Sequence, residues 1–219
     1  MGTVTLGIDV GQKVDPTALV VADEVDGVYA IRFLERVEIG TPYPDVARRV
    51  GEICRKLIEQ EARQESRRQL MPLSDDMRRQ ASQNIWVVCD ATGVGVPVVE
   101  MIVDELEGTY IRLTPVFFTH GDKATIRWGV RRESTVGKAY LVSRLQSLIQ
   151  TRRIELPQTE EARALVKELQ DYEIRIDAAT ANDTYGAFKV GSHDDLVTAL
   201  GLATIVDRPT PRDAISYQG

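Results

Sequence analysis

The chain is poor in the residues that build thiolate or imidazole metal sites, and it has no long apolar run. Of its 219 residues two are cysteine and two histidine, so no zinc site can be assembled from cysteines. Cys54 falls in a helical pattern and Cys89 in a strand pattern, where both read as small buried apolar groups of a reduced cytosolic protein. No stretch of 18 apolar residues occurs and no basic-then-apolar leader is present, so neither a membrane span nor a secretory signal is expected. Positive charge is in deficit: 27 Lys and Arg stand against 33 Asp and Glu, a net charge of −6. That balance argues against capture of nucleic acid or anionic membrane by the average field, and it leaves room for a local basic surface. The phosphate-loop pattern G-x-x-x-x-G-K-[ST] is missing too. Val136-Gly137-Lys138-Ala139 lacks both the earlier glycine and the hydroxyl, so ATP hydrolysis is not expected.

What is present supports one substantial core, with 43% hydrophobic residues in a length too short for two ordinary domains. A single domain over residues 1–219 is expected, with a charged helical insertion near 60–84 and a basic loop or hairpin near 119–138. Val4-Thr5-Leu6-Gly7-Ile8-Asp9-Val10-Gly11 reads as a first strand that ends at Gly11. Ala18–Ala22 and Val28–Val37 read as the second and third, and Asp26-Gly27 between them is a hairpin signal. Val46, Val50, Ile53, Leu57 and Ile58 recur at helical spacing within 43–65. Ile85-Trp86-Val87-Val88-Cys89-Asp90 suits a strand buried on both faces. A turn at 91–95, a helix over 96–106 and a strand over 110–118 then imply a parallel crossover. Helices are predicted over 135–148, from a Thr159 cap to Leu169, and from Ser192 to about Val206. The expected fold is a mixed five-stranded α/β sheet with helices on both faces.

Three acidic positions close regular elements. Asp9 and Asp90 end apolar strands, and Asp194-Asp195 opens the last helix. If the two strands are parallel neighbours and that helix packs over their edge, the carboxylates crowd together and raise one another's pKa unless a cation sits among them. Hard oxygen donors few in number suit Mg²⁺ or Mn²⁺, and two such ions support phosphodiester cleavage by water. Each acid also has a plainer reading. Asp9 could serve the turn at Gly11, and Ser192 with Asp195 fits a capping box. Taken alone, Asp195 reads better as a cap. The conjunction of all these acids favours the site.

Gly7-Ile8-Asp9-Val10-Gly11, then Val88-Cys89-Asp90-Ala91-Thr92-Gly93-Val94-Gly95, then Tyr185-Gly186 with Gly191-Ser192-His193-Asp194-Asp195-Leu196-Val197-Thr198-Ala199-Leu200, resemble the nuclease domain of tailed-bacteriophage large terminase subunits. The resemblance runs over nearly the whole chain. It implies a ribonuclease-H-like fold related to Holliday-junction resolvases and metal-dependent cutting of concatemeric phage DNA during packaging. Asp9, Asp90 and Asp195 would be the catalytic, metal-binding acids, with Asp194 a further ligand and two Mg²⁺ or Mn²⁺ ions as cofactors. The partners it implies are double-stranded DNA, an ATPase motor domain or subunit, the portal and the small terminase, in the host cell cytoplasm. Thr198 stands where many members of that family carry another acid, which bears on the ligands of a second ion.

Between Arg112 and Arg153 nine basic residues face two acids, a local excess of +7 of the kind phosphate contacts need. Lys123, Arg127, Arg131, Arg132 and Lys138 are the candidate DNA-binding residues, with Trp128 able to lie along a sugar or base. Arg144, Arg152 and Arg153 read as the polar face and end of a helix, and His193 as a local hydrogen-bonding residue. The resulting expectation is a two-metal DNA endonuclease of little sequence preference. Its rivals are an actin-like or sugar-kinase-like ATPase, whose phosphate loop Gly7-x-Asp9-x-Gly11 also resembles, a junction resolvase of the same fold, and a relative that binds DNA without cutting.

Overall fold

The structure is a computed structural model that describes residues 2–11, 15–127, 133–176, 183–186 and 194–206, with 173–176 and 183–186 described by their backbone. Three strands open it as an antiparallel meander: β1 (Thr3–Asp9), β2 (Ala18–Val25) and β3 (Val28–Arg36). Asp26 and Gly27 both take positive φ, 52° and 77°, as the two-residue turn joining twisted strands requires. There follow α1 (Tyr43–Gln69), α2 (Asp75–Gln83), β4 (Ile85–Asp90), α3 (Gly95–Glu105) and β5 (Arg112–Thr119). The rest comprises β6 (Ala124–Thr125), β7 (Ser134–Gly137), α4 (Lys138–Gln150), β8 (Ile154–Glu155), α5 (Glu160–Asp171), β9 (Glu173–Ile176), β10 (Asp183–Gly186) and α6 (Asp195–Ala203).

The main sheet runs β6-β7-β5-β4-β1-β2-β3-β8, and β9 and β10 pair separately. It therefore has eight strands among the described residues rather than five. The five long ones occupy its centre, where the sequence pattern places them. The additional three are two to four residues long, too short to leave a periodic signature. β7 also corrects the start of the helix expected from Thr135. Val136, Tyr140 and Leu141 fit helical spacing, yet Ser134–Gly137 pairs with β5 in parallel and with β6 in antiparallel. α4 begins only at Lys138. Residues 60–84 are the end of α1, a turn and α2, closed over a small core of Ala62, Met77 and Ala81.

Both faces of the sheet are covered. On one, Val4, Leu6, Ile8, Val87 and Cys89 pack with Val50, Cys54 and Leu57 of α1 and Val98 and Ile102 of α3. On the other, Val20, Trp86 and Val88 pack with Leu141, Leu145, Leu165, Leu196 and Leu200 of α4, α5 and α6. Apart from its half-buried Thr198, α6 is buried throughout, as a helix apolar on nearly all sides must be. It lies across β1, β2 and β4.

Candidate active site

Alternation along β1 sends Val4, Leu6 and Ile8 towards α1 and α3, which leaves Gly7 and Asp9 on the α6 face. β4 repeats the arrangement: Val87 and Cys89 face one way, and Trp86, Val88 and Asp90 the other. The two strands are parallel, with Gly7 opposite Val88 and Ile8 opposite Cys89. Asp9 and Asp90 are thus the next pair in the ladder, on one face, at the carboxyl edge of the sheet. The turn after β4 is tied down: Thr92 N–H donates to Asp90 Oδ1 at 2.8 Å and Phe118 N–H to Thr92 Oγ1 at 3.0 Å. A Cβ on Gly95 would lie 2.1 Å from the Asp90 carbonyl oxygen, so that close approach needs a glycine.

The third element arrives through Gly7. A Cβ there would meet the Ala199 carbonyl oxygen at 2.2 Å and the Ala203 nitrogen at 2.4 Å, so α6 rests directly on the β1 backbone. Asp195 lies one turn earlier on that helix, and Asp194 is the residue at its N-cap position. A cavity of about 380 Å³ is lined by Asp9, Asp90, Asp194 and Asp195, with Thr198, Lys138, Asp15 and Phe118. All four aspartates expected from the sequence therefore meet at one place.

The electrostatics follow from that meeting. Burial pushes the Asp9 carboxyl well above the usual carboxylate range, and Asp90, Asp195 and Asp194 push it further, while Lys138 opposes them. Asp90 is also raised by burial, against the Thr92 hydrogen bonds and Lys138, which lower it. Among the described residues no three His, Cys, Asp or Glu side chains are arranged as a finished ligand set for one ion. The acids line a common cavity and stand in one another's field without closing on a point. As a donor set they are carboxylate oxygens free of thiolate or imidazole, which suits a hard divalent cation. A cation there would relieve the repulsion that Asp9 registers.

One expectation is corrected at α6. The helix begins at Asp195 with Asp194 as N-cap, where the sequence pattern starts it at Ser192, and the box Ser192 would form with Asp195 lies outside the described residues. The Leu196 and Val197 amides donate to Glu168 Oε2 of α5, at 3.1 and 3.2 Å. Ser192, His193, Trp128, Arg131 and Arg132 lie outside the described residues. Lys123 and Arg127 are exposed and flank β6. Arg127 is held by its backbone, its N–H donating to Ser134 Oγ at 2.8 Å. Lys138, expected among DNA contacts, lies in the acidic cavity with its Nζ 5.8 Å from the Phe118 ring centre. Arg144 donates to the Thr204 carbonyl and the Tyr29 hydroxyl, and Arg153 to the Gly27 carbonyl, which agrees with reading both as structural. The sequence reading missed Asp15, six residues beyond Asp9 on the loop leaving β1, and Glu168, which carries no local signal of its role.

A mixed sheet flanked by helices thus carries acids at the carboxyl ends of two central parallel strands and at the start of a helix laid over them. Solved structures of the same fold are nuclease domains of terminases. The large terminase nuclease of thermophilic phage G20c is 22% identical, with TM-score 0.58 over 92% of this chain and 81% of that one. The nuclease domain of the large terminase subunit gp2 of bacterial virus Sf6 is 10% identical, with TM-score 0.61 over 94% and 89%. The human cytomegalovirus terminase nuclease domain, Mn-soaked, is 12% identical, with TM-score 0.56 over 98% and 86%. The chain has the fold of these large terminase nuclease domains. No protein-family profile matches it, and no curated protein does at a significant level.

Proposed function

We propose that residues 1–219 form a single metal-dependent endodeoxyribonuclease domain of the large-terminase kind, cutting concatemeric phage DNA during genome packaging. The observation that carries this reading is the convergence of Asp9, Asp90, Asp194 and Asp195 on one cavity, on a fold shared with terminase nucleases. Asp9, Asp90 and Asp195 would hold the catalytic Mg²⁺ or Mn²⁺, with Asp194 as a further ligand. Structures of that fold described with magnesium bound and manganese soaked support the choice of metal. The chemistry two such ions supply when bound is activation of a water nucleophile and stabilisation of the leaving oxygen.

The chain's own residues do the rest. β1 and β4 hold two carboxylates on rigid backbone, so little reorganisation is needed when phosphate enters. Thr92 N–H fixes the Asp90 carboxylate. Lys138 supplies the positive charge that keeps Asp9 and Asp90 closer to their ionised forms, and its ammonium would meet a phosphate oxygen. Lys123 and Arg127, with Trp128, Arg131 and Arg132, would track the DNA backbone beside the cavity, a contact whose strength falls with salt. The partners of this reading are double-stranded DNA, an ATPase motor domain or subunit, the portal and the small terminase, in the host cytoplasm.

Supercoiled plasmid incubated with Mg²⁺, Mn²⁺ or EDTA tests it. Nicking and linearisation are expected with either metal and none with EDTA or in Asp9→Asn. Cleavage that survives chelation or that substitution removes the reading. Preference for four-way junctions over linear duplex would instead indicate a resolvase. Binding without nicking would indicate a DNA-holding relative, and ATP binding the kinase-like alternative.

A further inference from the structure

The first turn of α6 is held by a residue from another helix. With Asp194 as N-cap, the amides an N-cap side chain ordinarily satisfies are those of Leu196 and Val197, the second and third helical residues. Both donate instead to Oε2 of Glu168, and the Asp194 side chain makes no capping bond. Glu168 is buried on α5, 6% exposed, and its Oε1 pairs with the guanidinium of Arg36 at the end of β3. Arg36 stands opposite Ala18, and Ala18 stands opposite Asp9. With Asp90 next on β4, one row across the sheet runs Arg36, Ala18, Asp9, Asp90. The row that carries two of the acids therefore also fixes the helix that carries the other two.

We propose that Glu168, with Arg36, is the positioning pair of the metal centre. A helix start with orphan amides draws the nearest acceptors, and here the nearest would be the carboxylates of Asp194 and Asp195. Glu168 takes those amides from α5, so the Asp194 side chain is not drawn into capping and the first turn of α6 holds both acids on the cavity. Its charge meets the positive end of the helix. Arg36 supplies the countercharge that the buried Glu168 carboxylate needs. Outer residues that orient metal ligands are commonly worth 10- to 100-fold in metal affinity.

This inference rests on reading the cavity as a divalent-ion site, and the experiment separates the two. Mn²⁺ alone is titrated calorimetrically into the full chain, with circular dichroism and metal-free melting recorded for each variant. Absence of binding by the wild type overturns the metal reading and this inference with it. Where the wild type binds, Asp195→Asn marks the loss from removing a ligand. Glu168→Gln, which keeps the shape and loses the charge, is expected to bind Mn²⁺ at least about 10-fold more weakly with an unchanged metal-free spectrum. Glu168→Asp keeps the charge with a shorter reach, and an intermediate loss is expected. It decides alone should Glu168→Gln not fold. Wild-type affinity in a folded Glu168→Gln, or in Glu168→Asp where only that variant folds, overturns the proposal. A lowered Tm with no change in affinity does the same, because a merely structural role would produce it.

Discussion

Gly7→Ala tests whether the packing of α6 on β1 sets both the stability of the fold and the geometry of the site. The added Cβ would stand 2.2 Å from the Ala199 carbonyl oxygen, 2.4 Å from the Ala203 nitrogen and 3.0 Å from its Cα, where ordinary contact begins near 3.4 Å. Those atoms are helix backbone, so no rotamer change relieves them, and α6 must withdraw by about 1 Å. In a close-packed interior, forced volume of this kind costs about 1–3 kcal/mol. At about 2–4 °C per kcal/mol for a chain of this size, Tm falls by about 2–12 °C. The sign is informative, because a glycine-to-alanine change at an unstrained, open position stabilises by about 0.4–1 kcal/mol through the unfolded chain. Asp195 moves with the helix, and a 1 Å misplacement at a reacting centre can cost about 10²-fold in rate. Calorimetric melting and Mn²⁺-dependent plasmid nicking read the two consequences. A Gly7→Ala protein that melts at or above the wild-type temperature and nicks at the wild-type rate refutes the account of how α6 is seated.

The acids and thiols supply three further predictions. Because the native state raises the Asp9 pKa, it holds that proton more tightly than the unfolded chain. The Asp9 contribution is therefore most favourable below the ordinary value of 3.8 and is lost as pH rises through the folded value. Metal-free Asp9→Asn is accordingly expected to melt above the wild type near neutrality, by about 2–4 °C for a gain of order 1 kcal/mol. That difference should shrink towards acid pH, and an equal Tm at every pH refutes it. Lys138→Met removes the positive charge that lowers both Asp9 and Asp90, so the acid limb of the cleavage pH profile should move to higher pH. A limb that stays in place means the ammonium does not act on these carboxylates. Burial pushes the Cys54 thiol up to about 12 and raises Cys89 as well, so neither should react with a thiol reagent at pH 8 until the protein unfolds. Prompt labelling of the native chain contradicts their burial.

The sequence makes one half of the site legible, and physical reasons hide the other half. Asp9 and Asp90 can be placed because each ends a run of residues buried on both faces, and strand alternation is a strictly local rule. Only the parallel register of β1 and β4 had to be supplied by the structure. Gly7 shows the limit of that rule. Parity assigns it a face, but the reason it must lack a side chain is Ala199, far along the chain and touching it only after folding. β7 was hidden by a genuine conflict: the spacing of Val136, Tyr140 and Leu141 favours a helix, and the free edge of β5 claims Ser134–Gly137 as a strand. At α6 the side-chain cap comes from outside the local sequence. Ser192-x-x-Asp195 has the form of a capping box, yet Glu168 takes the Leu196 and Val197 amides from a position on α5 where it reads as one more polar residue of an amphipathic helix. A cap brought from another element leaves no trace in the sequence beside the helix it caps. For the same reason it can leave the Asp194 side chain without a capping bond at a helix start, the position where acids are otherwise most readily consumed by the backbone.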